Sequence, residues 1–398
     1  MSEPAAGRLR LRVLVAPDSF KGSLTSVEVA RALADGWRRA RPADELDLAP
    51  LADGGDGTLA ALEAAGGWER HSVPVHDPLG RPTTATWLRS SDGRRAAVEF
   101  ADASGLALVA PGERDPLAAM SAGAGEVLRA VLDAGIREVL LGLGGSATTD
   151  GGAGLLAALG ARLLDGSGRS IPPGGAGLEV LATLDLSGLD GRLAETRLRI
   201  ANDVSNPLLG PSGAAATYGP QKGASAAQVR RLDAALAGWA DRLETATGCS
   251  ARETPGAGAA GGATFGLLCL RERFAALELR PGIELLMEAV GFAARLAGAD
   301  LVLTGEGRID AQTAFGKTAA GVARQAAETG RPCLAVGGGV EPEGAEALGR
   351  LGAIVVPAVE GPCSLEEAMA SGAGLVERAG ERIARLVTLG WQLRGSRQ

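Results

Sequence analysis

Lysine is nearly missing from this chain. Lys21, Lys222 and Lys317 are the only three among 40 basic residues in 398; the rest are Arg. Histidine occurs twice (His71, His76), Asn twice (Asn202, Asn206), Tyr once, and aromatics make up 3%. No apolar run reaches the roughly 18 residues of a membrane-spanning helix. The first ten residues, MSEPAAGRLR, lack the apolar core of a signal peptide. No block of basic residues stands out and the net charge is −7, so nucleic acid is not an expected partner. Four cysteines, at 249, 269, 333 and 363, form no CxxC pair, and two His do not complete a zinc site with them. These absences lead us to expect a reduced, cytoplasmic protein with buried thiols.

What is abundant is glycine, 60 residues of 398, about twice the usual ~7%. It lies in clusters beside polar residues, where a backbone turns sharply or approaches a ligand. All three lysines touch a Gly: FKG, QKG and GKT. Where Arg replaces Lys wherever any positive charge will do, the surviving lysines mark positions that need a compact ammonium. An ammonium beside exposed backbone suits a phosphate.

Strand and helix signals alternate at both ends of the chain. Leu11–Ala16 reads as a strand, Thr25 and Glu28 as a capping box opening a helix to about Ala40, and Glu45–Leu48 as a second strand. Strands are expected again at 300–303, 332–336 and 351–356, with a helix from about Phe315 to Glu328 and a final helix capped by Ser364. Residues 70–120 read as antiparallel strands and loops, and Ser225 to about Thr247 as a long helix. The grammar of the two ends predicts one parallel α/β sheet built from both, with a second α/β domain inserted. The expected division is 1–65 with 295–398, and 66–294 as the insertion.

Five polar loops follow apolar runs, where parallel α/β sheets place their ligands. In PDSFKGS, Lys21 would neutralise a phosphate beside Asp18 and Ser19; a turn and helix cap is the alternative. In ADGGDGT, Asp53 and Asp56 repel each other unless a cation or proton intervenes, and magnesium suits such oxygen donors; a solvated turn is the alternative. GLGGSATTDGG offers backbone amides around Gly144, Gly145 and Ser146. It also matches a dinucleotide fingerprint, with Asp165 about 20 residues on, so a nicotinamide-dependent oxidoreductase of a small hydroxy acid stays open. ANDVSNP gathers Asn202 and Asn206 beside Asp203. TGEGRIDAQTAFGKT carries Glu306, Arg308, Asp310 and Lys317; Arg308 is placed to hold a carboxylate and Glu306 and Asp310 to meet a metal or hydroxyl. No Ser–His or Cys–His pair supplies a nucleophile. Acids, cations and glycine loops are what phosphoryl transfer requires.

At these loops the sequence resembles the bacterial glycerate kinase family, which makes phosphoglycerate from D-glycerate and ATP. The matching segments are VLVAPDSFKGSLTSVEVA, LADGGDGT, GLGGSATTDGGAGLLAALGARLLD, NDVSNPLLG, GPQKGAS, PGAGAAGG and LTGEGRIDAQTAFGK, in order over most of the chain. The resemblance implies two α/β domains, a discontinuous flavodoxin-like one with a mixed α/β domain inserted, and an active site in the cleft between them. It implies ATP, Mg2+ and D-glycerate as ligands, with the 2-hydroxyl favoured as acceptor. On this expectation Lys21, Asp53, Asp203 and Asp310 carry the catalysis. Asp18, Ser19, Gly144, Gly145, Ser146, Asn202, Lys222, Arg308 and Lys317 bind substrate or phosphate, and Asp56 and Glu306 bind the metal. A non-catalytic sugar-acid or nucleotide sensor is a further alternative.

Overall fold

The computed structural model describes residues 10–315 and 318–395. Its strands, in chain order, are β1 (Arg12–Val15), β2 (Glu45–Leu48), β3 (Trp68–His76), β4 (Pro82–Ser90), β5 (Arg95–Glu99), β6 (Glu138–Gly142), β7 (Arg162–Asp165), β8 (Leu181–Asp185), β9 (Arg197–Ala201), β10 (Ala276–Arg280), β11 (Leu301–Ile309), β12 (Cys333–Val340) and β13 (Ala353–Pro357). The chain forms two compact units. Of the described residues, one holds those up to Asp53, Ala60–Gly66 and those from Leu286 on; the other holds Gly54–Leu59 and Gly67–Leu285.

The first unit is built on a five-stranded sheet in the order β13-β12-β11-β1-β2, parallel throughout. Counted within the unit, that order is the 2-1-3-4-5 of flavodoxin-like folds. Val13, Leu14 and Val15 pair with Leu301, Val302 and Leu303, so strands from the two ends of the chain lie side by side. The helix Ser26–Ala40 forms where the sequence placed it, with Thr25 and Glu28 closing the capping box. It buries Val29, Leu33 and Trp37 together with Val13, Val15, Leu303 and, from the helix Gly372–Gly395, Val376, Ala379 and Ile383.

Two expectations fail in this unit. TGEGRID is not a loop, because β11 continues through it to Ile309. The GGG after Val336 is strand as well, inside β12. The reason is close packing. A Cβ on Gly307 would stand 3.0 Å from Phe20 Cα, and one on Gly338 would stand 2.5 Å from Gly307 O. These glycines let backbone lie against backbone within a sheet.

The second unit has a mixed six-stranded sheet, ordered β10-β9-β6-β5-β4-β3. The first four strands are parallel; β3, β4 and β5 are antiparallel neighbours, as the sequence between 70 and 120 implied. β7 and β8 form a separate ribbon. The helix Ala226–Thr247 starts on a Ser225–Gln228 capping box and buries Trp239, whose Nε1 donates to Gly151 O at 3.0 Å. The first segment of this unit lies against its last: a Cβ on Gly54 would lie 3.5 Å from Gly282 Cα. Among the described residues no helix is long and apolar enough to cross a membrane.

Helix pairing in the first unit depends on glycine. A Cβ at Gly36 would meet Glu377 O at 1.8 Å, and one at Gly380 would meet Leu33 O at 2.5 Å. In an open helix, Gly→Ala gains about 1 kcal/mol; here overpacking of about 1–3 kcal/mol opposes that gain and outweighs it. Gly36→Ala is therefore expected to lower the unfolding temperature. Gly238→Ala, whose Cβ meets only the end of the Arg242 side chain at 3.4 Å, is expected to raise it. Differential scanning calorimetry of the two variants checks both signs.

Candidate active site

In the first unit the polar residues cluster at the carboxyl ends of β1 and β11, where the strand order reverses. Ala16 N donates to Leu303 O at 2.7 Å and Asp18 N to Gly305 O at 2.8 Å, so the register of the sheet sets the position of Asp18. Its carboxylate accepts from Ser19 N and from Thr318 Oγ1, both at 2.6 Å. Burial raises the Asp18 pKa, and the charge of Asp53 adds to that rise against the Thr318 and Ser19 hydrogen bonds and Lys21. Lys21 Nζ lies 3.6 Å from Asp53 Oδ2. Both groups are solvent-accessible, so the pair contributes at most about 1 kcal/mol to stability. Its interest is the placement of a cation and an acid together.

Glu306 is buried on β11 and accepts from Thr313 Oγ1 at 2.6 Å. Asp18, Ser19, Lys21, Asp53, Glu306 and Arg308 all line one cavity of about 790 Å³. Arg308 is already engaged, since Nε and Nη2 both reach Glu341 Oε1 and Nε lies 3.7 Å from Asp310. Asp310 accepts from Gln312 N at 2.9 Å at the head of the short turn Ala311–Phe315 and is outside the cavity lining. The helix after it starts at Thr318, not near Phe315. Lys317 lies outside the described residues.

In the second unit two glycine loops press together. A Cβ on Gly144 would stand 2.3 Å from Gly55 Cα, and one on Gly145, at φ +71°, would stand 2.0 Å from Asp56 Oδ1. The Asp56 carboxylate thus fills the notch that Gly145 leaves. Glu99, at the end of β5, accepts from Gly57 N at 2.7 Å and fixes the loop from below. Burial pushes its carboxyl up to about 7, with Asp56 and Asp102 adding to the rise and the two backbone amides of Gly57 and Leu59 opposing it.

Lys222 sits inside this unit, 2% exposed. Its Nζ donates to Thr148 O at 2.6 Å and to Ser146 Oγ at 3.0 Å. Burial lowers its pKa to about 7, against the charge of Asp150. Asp150 is fully buried and accepts from Ser121 N and Oγ, Gly152 N and Gly154 N. Lys222 and Asp150 together hold both sides of the 144–154 loop.

In the ANDVSNP loop, Asn202 Nδ2 donates to Val204 O at 2.7 Å and Gly282 N donates to Asp203 Oδ1 at 3.0 Å. The single Tyr, Tyr218, donates to Asn206 Oδ1 at 2.6 Å. His76 Nδ1 is 2.9 Å from Glu126 and His71 stacks on Trp87. All four cysteines are free; Cys269 and Cys333 are buried, Cys249 is half-buried, and Cys363 is exposed, against expectation.

Among the described residues no group of three or more His, Cys, Asp or Glu is arranged to hold a metal ion. Magnesium asks for less, because one or two carboxylates with phosphate oxygens and water suffice. Asp18, Asp53 and Glu306 are hard oxygen donors facing one cavity, and a cation there would offset the mutual repulsion of Asp18 and Asp53. The donor set fits.

The model of the glycerate kinase family matches residues 13–388. The chain is 43% identical over 379 residues to the glycerate kinase of Bacillus subtilis strain 168, covering 95% of this chain and 98% of that one. It is 44% identical over 329 residues to the glycerate 2-kinase of Escherichia coli K12, covering 82% and 85%. This chain belongs to the glycerate kinase family. The kinase also superimposes on a crystal structure described as a glycerate kinase 2 from Salmonella typhimurium LT2, with a TM-score of 0.83 and 42% identity over 96% of this chain and all of that one. It is therefore a phosphotransferase. The dinucleotide fingerprint lacks its geometry as well: β6 ends at Gly142 and the next helix begins only at Ala153.

Sequence reasoning missed Glu99, Ser121, Thr313 and Thr318. For Glu99 one signal was present, an acid closing the apolar run RAAVEF. Because its pKa in the fold lies above the ordinary 4.5, Glu99 contributes stability that is present below pH 4.5 and lost as the pH rises to about 7. That loss is on the order of 3 kcal/mol. Glu99→Gln is expected to flatten the dependence, and urea unfolding at several pH values between 4.5 and 8 measures it. Lys222→Met keeps the apolar stem but strands Thr148 O. It should cost about 2–3 kcal/mol of stability. A residue serving only to bind ligand would leave the urea midpoint unmoved.

Proposed function

We propose that the kinase transfers the γ-phosphoryl group of ATP, as its magnesium complex, to the 2-hydroxyl of D-glycerate, giving 2-phosphoglycerate and ADP. The observation that carries this reading is the Lys21–Asp53 pair, 3.6 Å apart, at a cavity also lined by Asp18 and Glu306. The glycerate 2-kinase name of the E. coli relative supports the 2-hydroxyl.

In this reading Lys21 holds phosphoryl oxygens as negative charge moves to the bridging oxygen of the leaving ADP. Asp53 orients the attacking hydroxyl and receives its proton; Asp203, exposed in its loop, is the alternative base. The new O–P bond forms as the bond from the γ-phosphorus to ADP breaks. Loose transition states of this kind need positioning and charge more than covalent help. Magnesium, when bound, would neutralise phosphate charge, and Glu306, which faces the same cavity as Asp18 and Asp53, is the carboxylate we assign to it; Asp56, expected as a second metal ligand, instead lies against Gly145 in the second unit. Ser146 and Asn202 are assigned to substrate. Asp18 aligns the Ser19–Lys21 turn through its bonds to Ser19 and Thr318.

Phosphorus NMR with magnesium-ATP and D-glycerate tests the reaction. A new monoester resonance that requires D-glycerate is expected, split into a doublet by the single carbinol proton of the 2-phosphate. A triplet would assign the 3-hydroxyl, and no resonance from folded protein would remove the reading. Lys21→Met should preserve the fold and reduce turnover by about 10²–10³-fold, the scale of one lost charge-stabilising donor. Turnover within threefold of wild type would take Lys21 out of the mechanism.

A further inference from the structure

The lining of the cavity in the first unit divides by chemistry. Lys21, Asp18, Asp53, Glu306 and Arg308 belong to its charged part, from the loops after β1 and β2 and from β11. Its apolar part, termed the apolar end, is Val359, Pro362, Leu365, Met369, Leu375 and Val376, from the segment that follows β13. Glycerate has three carbons, each bearing oxygen, and no apolar face to cover such a wall. An apolar compartment continuous with a cation suits a ligand with a flat ring at one end and phosphates at the other.

We propose that the apolar end of this cavity is the subsite for the nucleobase of the phosphoryl donor. The proposal rests on the reading of the chain as an ATP-using kinase and adds where the base sits. Its volume, about 790 Å³, lies in the range of roughly 300–1,000 Å³ found for small-molecule sites. Leu365 is 76% exposed and Met369 36%, four residues apart on one short helix. Both line the cavity, so a ring placed there would remove apolar surface from water. The Met369 thioether is a good partner for an aromatic ring.

The two ends are also mechanically joined. Ser23 Oγ donates to Met369 O at 2.8 Å, and a Cβ on Gly22 would stand 3.0 Å from Met369 Cε. The loop that carries Lys21 is therefore seated on the helix that carries Met369. The capping box of Ser364 and Glu367 fixes the start of that helix. The hydrogen bond and the Gly22–Met369 approach tie the Lys21 loop to the apolar wall.

Cys363 lines the same end, and among the described residues it is the exposed cysteine. It provides a footprint on the wild-type enzyme. The rate of its alkylation by N-ethylmaleimide, read by peptide mass spectrometry, is measured with magnesium-ADP, pyrophosphate or D-glycerate. Magnesium-ADP is expected to slow alkylation at least tenfold, and pyrophosphate or D-glycerate alone less than twofold. Protection by D-glycerate alone would overturn the proposal. So would absence of protection by ADP in a preparation that turns over ATP. Protection by ADP in a protein that phosphorylates no glycerate would keep the base subsite and remove the proposed acceptor instead. Ala368→Trp, which fills the same end, should raise the KM for ATP at least tenfold with the KM for glycerate within twofold; a rise confined to glycerate would overturn the assignment.

Discussion

The pairing of Val13, Leu14 and Val15 with Leu301, Val302 and Leu303 governs the first unit. It makes β1 a central strand, and it brings the loop after β1 and the far half of β11 to the same edge. Asp18 depends on it through a backbone bond to Gly305, and the Thr304 hydroxyl donates to Ala16 O at 2.8 Å beside it. Every polar group of the cavity is then placed by backbone geometry rather than by long, mobile side chains. The exceptions are Lys21, which extends from a turn into solvent, and Arg308, whose guanidinium is held by Glu341. That division is chemically sensible for a phosphotransferase: fixed acids around one cation that can follow a moving phosphate.

The second unit solves a different problem. Its loops bring backbone against backbone at Gly55 and Gly144, and a carboxylate against a glycine at Asp56 and Gly145. Such contacts leave no room for side chains to absorb error. The unit compensates with buried charge. Glu99 grips the amide of Gly57, Asp150 gathers four donors, and Lys222 bonds to Ser146 and Thr148. Burying these groups costs stability unless each is hydrogen-bonded, and each is. Lys222, expected from the sequence at a phosphate, has in the fold an ammonium that donates to Ser146 and Thr148.

Much of this was legible from residue patterns. Capping boxes at Thr25 and Ser225, the short apolar strands, and the split of one sheet across both chain ends follow from local rules. The acids at 18, 53 and 306 were found because they follow apolar runs in polar loops. Glu99 escaped because burial is not visible in a sequence, and an acid inside a strand looks solvated; Asp150 stood out only as the acid of a glycine loop, its burial unseen. TGEGRID was read as a loop, and a strand was ended before GGG, because glycine usually marks turns; their strand character depends on Phe20 pressing against Gly307 and Gly338, a contact between distant segments. Arg308 was legible as a grip for a carboxylate, but the carboxylate it holds is Glu341, 33 residues away.

The meeting of Gly54 and Gly282 has a consequence for how the protein is made. On the ribosome β1 emerges early, while β11 follows it only after nearly 290 more residues. At about 5–20 residues per second, β1 waits roughly 15–60 s for its partner. During that interval one edge of the nascent pair is open to other chains. Once the second unit folds, Gly54 and Gly282, near its first and last residues, come together, and the long connection behaves as a short one whose closure entropy has already been met. The inserted unit is thus an intramolecular clamp that delivers β11, β12 and β13 to a strand synthesised roughly 15–60 s before.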